Sequence, residues 1–170
     1  MAVADANYNF IYAGVGCQGC ISDGGVFQHT SLYKRIQLRP LQFPDAEALQ
    51  SRGKLVPFVF VADEHKPGSS SPVFNYRRSR ARRIIENFFG IMSAKFRIFL
   101  KAISLHPDKV ETVSLTCIYL HNYLRRNAES KSFYSPPGTF DSENSDNNLI
   151  PGSWRKEVKD PHALHRIGRQ

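Results

Sequence analysis

The chain has 170 residues, with Lys+Arg 23 against Asp+Glu 15, a formal net charge of +8 and a pI near 9.6. That length suits one domain with a real core, and the charge asks for a polyanionic partner, nucleic acid first. No apolar run approaches the ~20 residues of a spanning helix, the opening MAVADANYNF lacks the regions of a signal peptide, and three cysteines make an odd number, so a soluble intracellular protein with free thiols is expected.

Tyr8 to Gly16 alternates and is rich in β-formers, which predicts a strand almost at the first residue. A strand placed there implies a missing neighbour. After the loop CQGCISDGG, Val26, Phe27, Leu32, Tyr33 and Ile36 fall on one helical stripe. Gln37 to Val56 reads mostly as loop, with room for one helical turn at DAEAL. Pro57 to Ala62 is the apolar run of a central buried strand, and Asp63 stands at its C-terminal end, where α/β proteins place their chemistry. A carboxylate there is expensive to hold unless it caps, pairs or binds a cation.

EHKPGSSSP reads as a flexible linker. It leads into FNYRRSRARRIIENFFGIMSAKFRIFL, where one acid, Glu86, sits among six arginines. A helix at about Ser79 to Ala94 would bury Ile84, Ile85, Phe88, Ile91 and Met92 and present Glu86 from a rigid, basic-ended element. Two readings fit. Glu86 is a metal ligand beside a phosphate backbone held by Arg77, Arg78, Arg80, Arg82 and Arg83, or it is paired with Arg82 or Arg83 on a solvated turn. LKAISLHPDK is a connection, and Pro107 to Arg126 is a second helix with Val110, Val113, Cys117, Leu120 and Leu124 on one side and Arg125 and Arg126 at its C-terminus. Cys117 and His121 lie one turn apart there, as a core thiol and a satisfied histidine. Cys17 and Cys20 have the spacing of half a zinc site, with Cys117, His121, His162 and His165 as an imaginable other half. From Asn127 on, the sequence is polar, proline-bearing and aperiodic, which predicts a loosely docked or disordered tail over 128–170.

The segments DANYNFIYAGVGCQGCISDGGVFQHTSLYK, VPFVFVADE, FNYRRSRARRIIENFFGIMSAKFRIF, LTCIYLHNYLRRN, YSPPGTFDSE and LIPGSWR resemble, in order, the C-terminal two-thirds of Harbinger-type DDE transposases, a family of transposase-derived nucleases. The resemblance implies a partial RNase H-like α/β fold over 1–127, a mixed sheet flanked by helices. It implies hydrolysis or transfer of DNA phosphodiesters with divalent metal, Mg²⁺ or Mn²⁺, and a nuclear location, with the cytoplasm as a further one. DNA is the implied partner, together with a DNA-binding protein of the transposon.

Matched residue by residue, Asp63 corresponds to the family's second catalytic acid, Glu86 to the third, and Asp23 in SDGG to a further metal ligand. Asp23 also reads as a turn or helix-capping acid. No residue here matches the first catalytic acid, which lies upstream in the family, and Asp5 matches a non-catalytic turn acid. HKPGSSSP replaces a longer insert between Asp63 and Glu86, which weakens preorganisation. Three outcomes are therefore open: a metal-dependent nuclease impaired by a lost acid and an N-terminal truncation, a non-catalytic DNA- or protein-binding remnant, or a truncated reading frame without a role.

Overall fold

The computed structural model describes residues 1–17, 21–38, 41, 43–48, 53–61 and 72–159, without the side chains of Asp23, of 72–75 and of Arg77. Asp63, Cys20, His162 and His165 lie outside the described residues.

The chain begins with an antiparallel hairpin, β1 Ala2–Ala4 against β2 Phe10–Ala13. Asp5 makes its turn, accepting the Asn7 and Asn9 N–H groups, each at 2.8 Å, as an acid in an Asx turn does. Two short helices follow, α1 Asp23–Gln28 and α2 Ser31–Gln37. The single stripe read over 26–36 is split because Thr30 accepts from Tyr33 N–H as a new N-cap, while Ser22, not Asp23, caps α1. A small hairpin pairs β3 Glu47–Ala48 with β4 Leu55–Val56, so Glu47 and Ala48, inside the stretch read as a helical turn, are extended.

Two long helices form the body. The first, α3, runs Pro72–Lys95, and a 3₁₀ turn at Arg97–Leu100 leads to the second, α4, Pro107–Arg126. Each opens on a proline, whose missing N–H costs nothing in the first turn. Helix α4 has the bounds its periodicity predicts, whereas α3 starts seven residues before Ser79, inside the segment read as linker. Phe88 and Ile91 are fully buried, with Met92 beside them. Phe10 of β2 meets Phe88 edge-on at 3.6 Å between ring centres, and Cys117 completes this core.

Three two-stranded antiparallel sheets are present among the described residues, and β1–β2 and β3–β4 are not joined. This corrects the expectation of one mixed sheet containing Tyr8–Gly16 and Pro57–Ala62. Residues 57–61 have no strand pairing, and Val59 is 73% exposed. The reason is that β-propensity is realised only against a partner, and the pairing in this region stops at Val56. The fold is mixed α/β, built of helices and small sheets.

The expected loose tail is also corrected over 128–159. Helix α5 Ala128–Tyr134, strands β5 Ser142–Glu143 and β6 Leu149–Ile150, and α6 Trp154–Lys159 fold back, with α6 lying on α3. What holds them is polar. The Asp141 side chain, fully buried, accepts from Gly152 N–H at 2.7 Å and from Arg155 Nε at 2.9 Å. Asn87 of α3 accepts from Asp141 N–H and Trp154 Nε1, both at 2.9 Å. Buried polar groups satisfied this way specify one arrangement without an apolar stripe.

The N-terminal hairpin is held likewise from α4. Asn122 bonds both the N–H and the C=O of Phe10, at 2.8 and 3.0 Å. His121, fully buried, bridges the Tyr8 carbonyl at 2.9 Å and the Tyr134 hydroxyl at 2.8 Å. Arg125 donates to Asn7 C=O at 2.7 Å and lies 4.9 Å from the Phe140 ring, itself stacked on Tyr8. These contacts hold Tyr8 at φ 60°, a left-handed conformation that costs a bulky residue about 1–2 kcal/mol. Cys117 and His121 are thus core residues, as their helical positions imply.

Candidate nucleic-acid and metal site on the arginine-rich helix

Helix α3 carries two unlike faces. Asn87, Phe88, Gly90, Ile91 and Met92 point into the body, with Ile84 and Ile85 half-buried, while Arg80, Arg82, Glu86 and Phe89 reach solvent. The division follows the 3.6-residue period, in which positions three and four apart share a side.

Glu86 lies on the open side, its side chain 51% exposed, with Oε1 3.6 Å from Arg82 Nε. So long an exposed i,i+4 pair is worth a few tenths of a kcal/mol, about 0.3–0.5, and leaves the carboxylate able to turn toward another cation. The paired reading of Glu86 is therefore what the free chain shows. Arg155 of α6 stands close enough to feel the same charge. Hydrogen bonds to Asp141 first, and then the Asp141 and Glu86 charges, hold its guanidinium above the ordinary value.

The other arginines are more committed than the sequence suggests. Arg83 Nη1 donates to Glu143 Oε1 at 2.6 Å and Arg80 Nε lies 3.1 Å from Glu143 Oε2. Glu143 belongs to β5, in the segment read as irregular, and nothing in its polar surroundings marked it. Arg78 and Arg82 are engaged as well, and the side chain of Arg77 is not described.

Of the predicted carboxylates, the structure places Glu86 alone. Asp23 is the first residue of α1, without a described side chain, and Asp63 lies outside the described residues. Among the described residues no three His, Cys, Asp or Glu side chains converge on a point that would hold a metal ion. Of the residues in the zinc reading, those described are Cys17, exposed, and Cys117 and His121, both buried in the core, where His121 is bonded to Tyr8 and Tyr134. A separate apolar cavity of about 350 Å³ opens between Met1, Gly14 to Cys17, Phe89 and Phe99, and Glu86 does not line it.

Residues 1–122 match the DDE superfamily endonuclease family, a span that includes the hairpin, α3 and most of α4. The chain belongs to that family. No curated protein and no solved structure gives a match. The match covers Asp23, Asp63, Glu86 and the arginines, and it ends before α5, β5, β6 and α6. DDE nucleases generally use divalent metals, and their substrate class is DNA. Among the described residues no helix is long and apolar enough to cross a membrane.

Proposed function

We propose that the chain is a transposase-derived, Harbinger-type DNA-processing protein whose carboxylates Asp63 and Glu86, with Asp23 as a further ligand, hold a divalent cation on an RNase H-like scaffold. The observation that carries this is the family match together with Glu86, a loosely paired carboxylate presented to solvent from a rigid helix between arginines. The described donor set is that one carboxylate, so the cation site depends on Asp63 and Asp23 joining it. A bound Mg²⁺ or Mn²⁺ would stabilise charge on a phosphodiester oxygen. Arg77, Arg78, Arg80, Arg82 and Arg83 would hold the DNA backbone through charge-assisted, sequence-independent contacts. The place of action is the nucleus.

No residue of this chain matches the first catalytic acid, and two-metal chemistry wants ligands on both sides of the phosphate. Strand cleavage by this chain alone is therefore absent or very slow. A second reading, a non-catalytic DNA- or protein-binding remnant, is favoured by the pairing of Arg82 with Glu86 and of Arg80 and Arg83 with Glu143.

Calorimetric titration with Mn²⁺ separates the two. Weak binding by the parent, lost in an Asp63→Asn, Glu86→Gln double variant, supports the carboxylate site. Equal heats in both proteins leave the binding remnant as the reading. Robust nicking of plasmid DNA by the parent, abolished in the double variant, would show the chain to be a working nuclease.

A further inference from the structure

Below α3 lies a cleft of about 300 Å³ lined by Tyr8, Arg80, Arg83, Ile84, Asp141 and Glu143. Arg80 and Arg83 are three residues apart and so project from one side of the helix. Both turn to the same carboxylate. Glu143 takes Arg83 Nη1 on Oε1 at 2.6 Å, and on Oε2 it takes Arg80 Nε at 3.1 Å and the Tyr76 hydroxyl at 3.3 Å. The Tyr76 hydroxyl also reaches Asn147 Oδ1 at 3.1 Å, and the Arg80 guanidinium lies over the Tyr76 ring at 5.8 Å. The side chain of Glu143 is only 10% exposed, whereas that of Arg80 remains 55% exposed, so the cluster is closed over the carboxylate and open along the arginine.

Two guanidinium groups and a hydroxyl converging on one singly charged, two-oxygen group is also the arrangement that recognises a phosphodiester. Asp141 does not compete for these donors, because its oxygens are taken by Arg155 and Gly152. The carboxylate arrives on a hairpin with only two residue pairs, Ser142 with Ile150 and Glu143 with Leu149, two positions beyond the anchored Asp141. We propose that Arg80, Arg83 and Tyr76 form a phosphodiester-binding site, and that Glu143 fills it in the free chain and must leave before a DNA backbone phosphate can bind. This rests on the DNA-binding reading above, and adds to it a specific pocket and an internal competitor. The hydrogen bond from Arg83, and then the Arg80 and Arg83 charges, hold the Glu143 carboxyl below its ordinary value, so it stays an anion and competes as one.

The test is duplex DNA affinity, read by fluorescence anisotropy over a series of salt concentrations, for the parent and for Glu143→Gln. Freeing two arginines should tighten binding roughly tenfold or more near 0.1 M salt, and steepen the slope of log affinity against log salt by up to about 1.8. Arg80→Ala with Arg83→Ala in the Glu143→Gln background should remove the whole gain. Should Glu143→Gln fail to fold by circular dichroism, Glu143→Asp, which keeps the charge but shortens the reach, should still bind more tightly than the parent. Salt-dependent binding by the parent with no gain in a folded Glu143 variant overturns the competitor and leaves the DNA reading standing. Absence of salt-dependent binding in every protein removes both.

Discussion

The indole of Trp154 lies against the bare face of Gly90: a Cβ placed on that glycine would stand 2.4 Å from Cε3 of the ring. Glycine in mid-helix costs about 1 kcal/mol relative to alanine, so α3 gives up helix propensity to let α6 approach. Gly90→Ala should therefore destabilise despite its better propensity, because the ring must move and loosen the 2.9 Å bond from Trp154 Nε1 to Asn87. A net loss of about 1–2 kcal/mol is expected from overpacking. In a Trp154→Ala background the same change should stabilise, and a thermal-melting double-mutant cycle reads that reversal of sign.

His121 gives stability a pH dependence. Burial pushes its imidazole down from 6.5 to about 4; the Tyr8 carbonyl opposes this and the Arg125 charge adds to it. A group whose folded pKa is depressed contributes its full stabilisation above the unfolded pKa and loses it as pH falls through the folded one. Stability should thus decline between about pH 6.5 and pH 4, by about 3 kcal/mol at most. Urea unfolding across this range checks it. The decline should flatten in His121→Gln, which can still donate to Tyr8 and accept from Tyr134, and an unchanged profile would assign the acid sensitivity to other groups.

Asp141 and Glu86 should respond very differently to losing their charge. Burial pushes the Asp141 carboxyl up, but hydrogen bonds from Arg155 and Gly152, followed by the Arg155 and Arg83 charges, outweigh it and hold the group below its ordinary value. Asp141→Asn removes the negative charge and one of the two oxygens that accept from Arg155, and should cost about 3 kcal/mol. Amide exchange in α6 should then quicken before that in α4. Glu86→Gln, at an exposed pair of 3.6 Å, should stay within about 0.5 kcal/mol of the parent. If both variants unfold alike, the docking of α6 does not depend on Asp141.

The two long helices were legible because their signals are local. Pro107, the apolar period and the terminal arginines are enough to bound α4, and the Arg82–Glu86 spacing announced its own pair. Pro72 was harder, since a serine-rich approach reads as linker even where a proline opens a helix. The run at 57–61 misled for the opposite reason: Phe58, Val59, Phe60 and Val61 are strand formers, but a strand exists only where another backbone lies beside it. The C-terminal segment was invisible to periodicity because Asp141, Asn87, Gly152 and Arg155 hold it, four polar or small residues with no repeat between them. At the site, Glu86 could be found from its arginine context, whereas Glu143 could not, because its partners lie 60 and 63 positions earlier on α3.

The fastening of the N-terminal hairpin by α4 bears on how the chain is made. Phe10 is pinned by Asn122 and Tyr8 by His121, over separations of 112 and 113 residues, and Asn7 meets Arg125 across 118. At about 5–20 residues per second, the hairpin is synthesised roughly 6–22 s before those side chains are. Until then the hairpin lacks the α4 bonds that fasten Asn7, Tyr8 and Phe10, and a two-stranded hairpin alone is marginal in water. The hairpin is thus made well before it is seated, and for that interval the nascent chain exposes an unfastened β-hairpin to whatever else is folding nearby.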